Sequence, residues 1–210
     1  MTALKGNASR SDLPCYQIGP SNPKRVVLVF SDVYGMQSGR HKVFCDVIQD
    51  KLGSGTSVWM PDLFRGKPIL GAWNMGSWIT LTCAIPSVVW ASMTHMTLRN
   101  LETDLLEVIK PALPTPEIAC VGFCYGGWVV ARSIKLGEAL GVKAGIGIHP
   151  SYQLEKIFGS TQEELVKHMG TTPLLLLPAN NDDLKPGAAA VATLAQKRKI
   201  PEDQLAVEFA

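Results

Sequence analysis

Cys124 stands in the run Gly122-Phe123-Cys124-Tyr125-Gly126, with one glycine two places before it and another two places after. The apolar stretch EIACVGF (117–123) leads into it, and YGGWVVARSIKLG (125–137), which can be helical up to Gly137, leads out. A G-x-nucleophile-x-G frame at a strand-to-helix turn holds its central residue in a strained conformation and lifts the side chain out of the sheet. The chemistry such a turn serves is attack on a carbonyl carbon. The backbone N–H of Tyr125 would then face the developing oxyanion. The positive end of the helix that starts near Tyr125 would favour the thiolate. The competing reading is a buried thiol acting as a small apolar group. That reading suits Cys120, which lies in the same strand without a glycine frame.

A turn of this kind needs a strand before it and a helix after it, and the chain repeats that alternation. RVVLVF (25–30), TSVWMPD (56–62), AGIGIHP (144–150), PLLLLPA (173–179) and LAVEF (205–209) are further strand candidates. Between them, KVFCDVIQDKL (42–52) carries Val43, Val47, Ile48 and Leu52 at helical spacing. LRNLETDLLEVI (98–109) does the same with Leu98, Leu101, Leu105 and Ile109, and AAAVATLAQKRK (188–199) is the last helix. Apolar strands alternating with helices imply an α/β fold, with a mostly parallel sheet covered by helices on both faces. Ligands in such sheets bind at the carboxyl ends of the strands. Those ends are Asp32 to Gly35, Asp62, Cys124, His149 and Asn180 to Asp183.

The composition bounds the rest. The 210 residues fit one domain with a substantial core. A net charge of +2, with no basic cluster or aromatic platform, argues against nucleic acid. The start, MTALKGNASRSDLP, lacks the apolar stretch of a secretion signal. The five cysteines, Cys15, Cys45, Cys83, Cys120 and Cys124, are scattered and odd in number. Together these point to a cytoplasmic protein without disulfides or zinc. From Pro68 to Leu98 there is no Asp, Glu, Lys or Arg, but Pro86, Gly71, Gly76 and several polar residues interrupt the run. A substrate-lining connection, furnished by Trp73, Met75, Trp78, Trp90, Met93 and Met96, suits it better than a membrane span.

GFCYGG after a strand resembles the dienelactone hydrolase family, α/β-hydrolases whose nucleophile is a cysteine. SDVYGMQSGRHK (31–42), MPDLFRG (60–66), HPS (149–151) and LLPANNDD (176–183) are similar, in the same order, to further segments of that family. The resemblance implies the α/β-hydrolase fold and hydrolysis of small esters or lactones through an acyl-enzyme, with no metal or cofactor and no membrane. It places the nucleophile at Cys124 and the acid at Asp182, with Asp183 as the competing position. It makes the backbone N–H groups of Val33 and Tyr125 the oxyanion hole. Asp32 falls where many members carry a glutamate that contacts the resting thiol; it is either an accessory group or a cap of its own turn.

The base of the family's triad follows the last strand. The histidines here are His41, His95, His149 and His168, and the sequence as given has no match at that place. It also has no final helix after LAVEF. His149, at a strand end, is the best-placed accessory histidine, although shaping the HPS turn is the commoner role for such a residue. The alternative to a working hydrolase is a non-catalytic, vestigial ligand-binding relative.

Overall fold

The computed structural model describes residues 1–6, 10–69, 97–179, 182, 184 and 188–198. The chain divides into two compact units, Met1–Thr115 and Pro116–Ala210.

In the first unit, β3 (Arg25–Phe30) and β4 (Thr56–Pro61) pair in parallel, with Val27 opposite Val58. Val26 to Phe30 and all of β4 are buried, as strands covered on both faces require. Two strands precede them that the sequence pattern does not announce. β2 (Leu13–Ile18) runs antiparallel to β4, and β1 (Thr2–Leu4) antiparallel to β2. Leu13 and Cys15 alternate inward on β2, a signal that Pro14 between them disguises.

Helix α1 (Arg40–Leu52) packs against β2 and β4 with an unexpected face. The spacing predicts that Val43, Val47 and Leu52 point inward, yet they are 62%, 51% and 45% exposed. His41 and Cys45 are buried instead. At 100° per residue, a stripe through 41 and 45 lies about 200° from one through 43 and 47. Burying an imidazole is tolerable here because Ser38 Oγ lies 3.0 Å from its Nδ1 and Asp32 Oδ2 lies 3.7 Å from its Nε2.

Helix α2 (Leu98–Thr103) starts on Thr97, whose Oγ1 accepts the N–H of Asn100. It continues through a π-helical turn (Asp104–Ile109) to Lys110–Ala112. Leu101, Leu105 and Ile109 are buried, as the spacing predicts, whereas Leu98 is half-buried and Val108 is buried beside them. Asp104, also buried, receives two guanidinium groups. Arg10 reaches it at 2.7 and 2.9 Å, and both Nη atoms of Arg65 at 2.8 Å. Burial alone would raise the Asp104 pKa, but the hydrogen bonds and charges of Arg65 and Arg10 outweigh it and hold the carboxyl below its usual value.

The second unit is a parallel array. β5 (Ile118–Phe123) pairs with β6 (Val142–Ile148), and β6 with β7 (Leu174–Leu177), so that Gly122, Gly147 and Leu176 share one level. Helix α3 (Tyr125–Lys135) is buried from Tyr125 to Ile134. A helix enclosed all round must find partners for its polar groups. Arg132 donates from Nε to Glu155 Oε1 at 2.7 Å and from Nη2 to Oε2. Trp128 Nε1 donates to the same Oε1 at 2.6 Å, and its ring stacks on Phe158. Ser133 Oγ donates to Val129 O. Helices α4 (Gln162–His168) and α5 (Ala189–Arg198) pack on each other.

No described helix is long and apolar enough to cross a membrane. The expected strand LAVEF, the open edge after it, and most of the uncharged connection (70–96) lie outside the described residues.

Candidate active site

The elbow is built by backbone proximity. A Cβ on Gly122 would lie 2.0 Å from Gly126 O, so β5 and α3 can meet at this distance only across a glycine. A Cβ on Gly127 would lie 2.7 Å from Pro150 Cβ. Between them Cys124 adopts φ 52° and ψ −110°, a region that costs a side-chain-bearing residue about 1–3 kcal/mol. The surroundings hold it there. Its N–H donates to Ile148 O at 2.9 Å, and its carbonyl accepts the N–H groups of Gly127 at 3.0 Å and Ser151 at 3.0 Å. Tyr125 follows as the first residue of α3.

The thiol differs from the other described cysteines in its setting. Burial pushes Cys15 and Cys45 up to about 12, and raises Cys120 as well. Cys124 is only half-buried, and its Sγ lies 3.1 Å from Ser151 Oγ. Ser151 was not singled out by the sequence as a functional residue. Its signals are its place in the HPS segment and a small hydroxyl just beyond β6, where ligands of such sheets bind.

The acid and a histidine meet in the same unit. Asp182 is held by a tight turn: its N–H donates to Ala179 O at 2.9 Å, and its Oδ2 accepts the N–H of Ala179 at 2.8 Å. Its side chain is 3% exposed. Oδ1 lies 2.6 Å from His149 Nδ1. The two groups are in close contact, but the approach is off the axis of a good hydrogen bond. His149, just past β6, has φ 49° and donates its N–H to Leu177 O at 2.7 Å. The structure thus sets His149 against Asp182; Asp183, the competing acid, lies outside the described residues.

The remaining candidates, His168 excepted, belong to the first unit. Val33 is half-buried in the turn after β3. Asp32 caps that turn, its Oδ1 accepting the N–H of Tyr34 at 2.9 Å, while Oδ2 faces Arg40 and His41. Burial holds the His41 pKa below its usual value, although the Asp32 charge opposes this. Asp62 likewise ties its own loop, accepting the N–H groups of Phe64 and Gly66. Arg65 is engaged with Asp104. His168 is exposed, its Nδ1 2.8 Å from Glu164 O, and His95 lies outside the described residues. Among the described residues, no group of three or more His, Cys, Asp or Glu is placed to hold a metal.

A parallel sheet wrapped by helices, with a strained residue between strand and helix, defines the α/β-hydrolase class. Solved structures share the fold. A candidate dienelactone hydrolase of Klebsiella pneumoniae superposes with a TM-score of 0.60 over 100% of this chain and 82% of its own, at 16% identity. Est1E of Butyrivibrio proteoclasticus, with ferulic acid bound, gives 0.52 over 95% and 85%, also at 16% identity. Within that class the chain belongs to the dienelactone hydrolase family, whose model matches residues 13–208. The rat carboxymethylenebutenolidase homolog is 26% identical over 182 residues, 86% of this chain. The chain spans 64% of that protein's length, and 53% of the hydrolase pyvD of Aspergillus violaceofuscus, which is 26% identical over 149 residues.

Proposed function

We propose that this protein hydrolyses small carboxylic esters or lactones, with Cys124 as nucleophile and Asp182 as the acid of its catalytic group. The observation that carries this reading is the backbone of Cys124. A side-chain-bearing residue at φ 52° is retained against a local cost where its Sγ can leave the sheet plane. Family membership supports the reaction class.

In this reading Sγ attacks the carbonyl carbon of the bound ester, and the carbonyl electron pair moves to oxygen. The Tyr125 N–H, at the first position of α3, is in this reading the donor that meets the oxyanion. A donor of this kind contributes roughly 2.7–4 kcal/mol to the transition state. Collapse expels the alkoxide and leaves a thioester on Cys124, which water then cleaves. The scattered cysteines support the cytoplasm, where their thiols stay reduced.

The test compares wild type with Cys124→Ala on p-nitrophenyl acetate and on a simple unsaturated lactone. The expected result is turnover by wild type and background rates for the variant. Equal rates in the two proteins would remove Cys124 from the reaction and with it this reading.

A further inference from the structure

We infer that the Ser151 hydroxyl positions the Cys124 sulfur and favours its ionised form, and that a buried cluster on α3 holds the hydroxyl in place. The inference rests on the reading of Cys124 as nucleophile, and it deepens that reading by naming the group that readies the thiol.

Ser151 does not spend its hydroxyl as its place in the chain suggests. It is the N-cap of a short 3-10 helix, Tyr152–Phe158, with φ −86° and ψ 62°. A serine at that position ordinarily accepts an N–H of the first turn through its side chain. The Ser151 carbonyl does start the helix, accepting the N–H of Leu154 at 3.1 Å, but the side chain makes no capping bond. It turns to the elbow instead, where Oγ lies 3.1 Å from Sγ of Cys124. Ser151 is 7% exposed, so the contact is made largely out of water.

The contact is imposed from two sides. Ser151 N–H donates to Cys124 O at 3.0 Å, and Cys124 N–H donates to Ile148 O at 2.9 Å. Trp128 N–H reaches the same Cys124 O at 3.3 Å, and its indole Nε1 donates to Glu155 Oε1 at 2.6 Å. Glu155 belongs to the 3-10 helix that Ser151 caps, is wholly buried, and also receives Arg132. Cys124, Trp128, Glu155 and Ser151 thus form a closed circuit of contacts. A buried ion pair is weak evidence for stability, and in some proteins it is retained to specify one arrangement. Here the arrangement it specifies is the placement of Ser151 against the elbow.

The direction of the hydrogen bond follows the charge. While the thiol is protonated, either atom can donate. Once the proton leaves Sγ, the sulfur can only accept, and the Ser151 O–H donates to it. A bond to an ionised acceptor is about twice as strong as its neutral counterpart, so the contact favours the thiolate. The elements about the elbow carry further titratable and charged groups: Tyr125 next in the chain, His149 against Asp182, and Glu155 with Arg132. All of them are retained when Ser151 alone is changed, so a difference from wild type belongs to the hydroxyl.

The test uses the 210-residue protein and its Ser151→Ala, Ser151→Thr and Cys124→Ala variants. Two readouts are taken: the rate of Cys124 alkylation by iodoacetamide, followed by peptide mass between about pH 5.5 and 10.5, and kcat/KM for p-nitrophenyl acetate. Ser151→Ala removes one hydrogen bond to a charged group, and the midpoint of its alkylation profile should rise by about one pH unit. Each unit of higher thiol pKa makes the thiolate about threefold more nucleophilic. The two profiles should therefore cross, with the variant about threefold slower below both midpoints and about threefold faster above both. On the acid side of the wild-type midpoint kcat/KM should fall by about the same threefold factor. Ser151→Thr, which keeps the hydroxyl, should follow wild type. A merely structural loss would scale the rate alike at every pH and give no crossing. Urea unfolding of each variant shows that it is folded. A Ser151→Ala profile that superposes on wild type, or that is displaced alike at every pH, overturns the inference. So does a folded Ser151→Thr that behaves as the alanine variant. If Cys124→Ala hydrolyses the ester as fast as wild type, the nucleophile reading fails instead. The alkylation profiles, read on Cys124 itself, still decide whether Ser151 acts on the thiol.

Discussion

Replacing Cys124 by glycine and, separately, by alanine divides the strain at the elbow from the chemistry of the thiol. Both variants lose Sγ and its contact with Ser151 Oγ, so that loss cancels between them. Alanine must still adopt φ 52°, ψ −110°, whereas glycine reaches that region without a Cβ clash. Relief of the strain is worth about 1–3 kcal/mol. Glycine's greater freedom in the unfolded chain takes back about 0.5–1 kcal/mol. Burial of the alanine Cβ, half-exposed at this site, takes back about 0.4 kcal/mol more. The balance leaves Cys124→Gly more stable than Cys124→Ala by about 1 kcal/mol. For a chain of this size that is a melting-temperature difference of about 2–4 °C, readable by calorimetry or by urea titration. Cys120 supplies the control of opposite sign: it lies within β5, and there glycine should be about 0.5–1 kcal/mol worse than alanine. A Cys124→Gly protein less stable than Cys124→Ala by as much as its Cys120 counterpart would refute the claim that the elbow stores strain.

Three further outcomes follow from the packing. Glu155→Ala leaves Arg132 as an unpaired buried charge beside Trp128, and chemical denaturation should show a loss of about 3–5 kcal/mol. Gly122→Ala must push Gly126 O away from 2.0 Å, so the variant should melt lower and lose esterase activity together, even though it removes no functional group. Asp104 has a folded pKa below its ordinary 3.8, so its contribution is complete above about that pH and is lost as pH falls through the lower folded value. Acid titration of stability should therefore be shallower below pH 4 in Asp104→Asn than in wild type, from a lower starting stability.

What the sequence made legible was local. The elbow needs only five consecutive residues with glycines two places to either side, and the positive φ of Cys124 and the close approach at Gly122 follow from that pattern. The runs at β3, β4, β5, β6 and β7 were legible because buried parallel strands are apolar throughout. Helix α1 was read with the wrong face inward, since apolar spacing does not register that Ser38 and Asp32 make His41 cheap to bury. The first two strands escaped because Pro14 and short length mask their alternation. Asp62, which stands at a strand end, ties its own loop, a role that its position in the sequence does not announce. The contact of His149 with Asp182 joins residues 33 positions apart. It depends on the register of β6 against β7 and on the turn at Ala179, neither of which residue spacing specifies.

The central claim is that Cys124 forms a covalent acyl intermediate. Mixing the protein with p-nitrophenyl acetate, quenching in acid within the first turnover, and measuring intact and peptide masses tests it directly. The account predicts one acetyl group on the peptide containing Cys124, absent from Cys124→Ala. An unmodified Cys124 during active turnover, or the same acetyl adduct in the alanine variant, would contradict it.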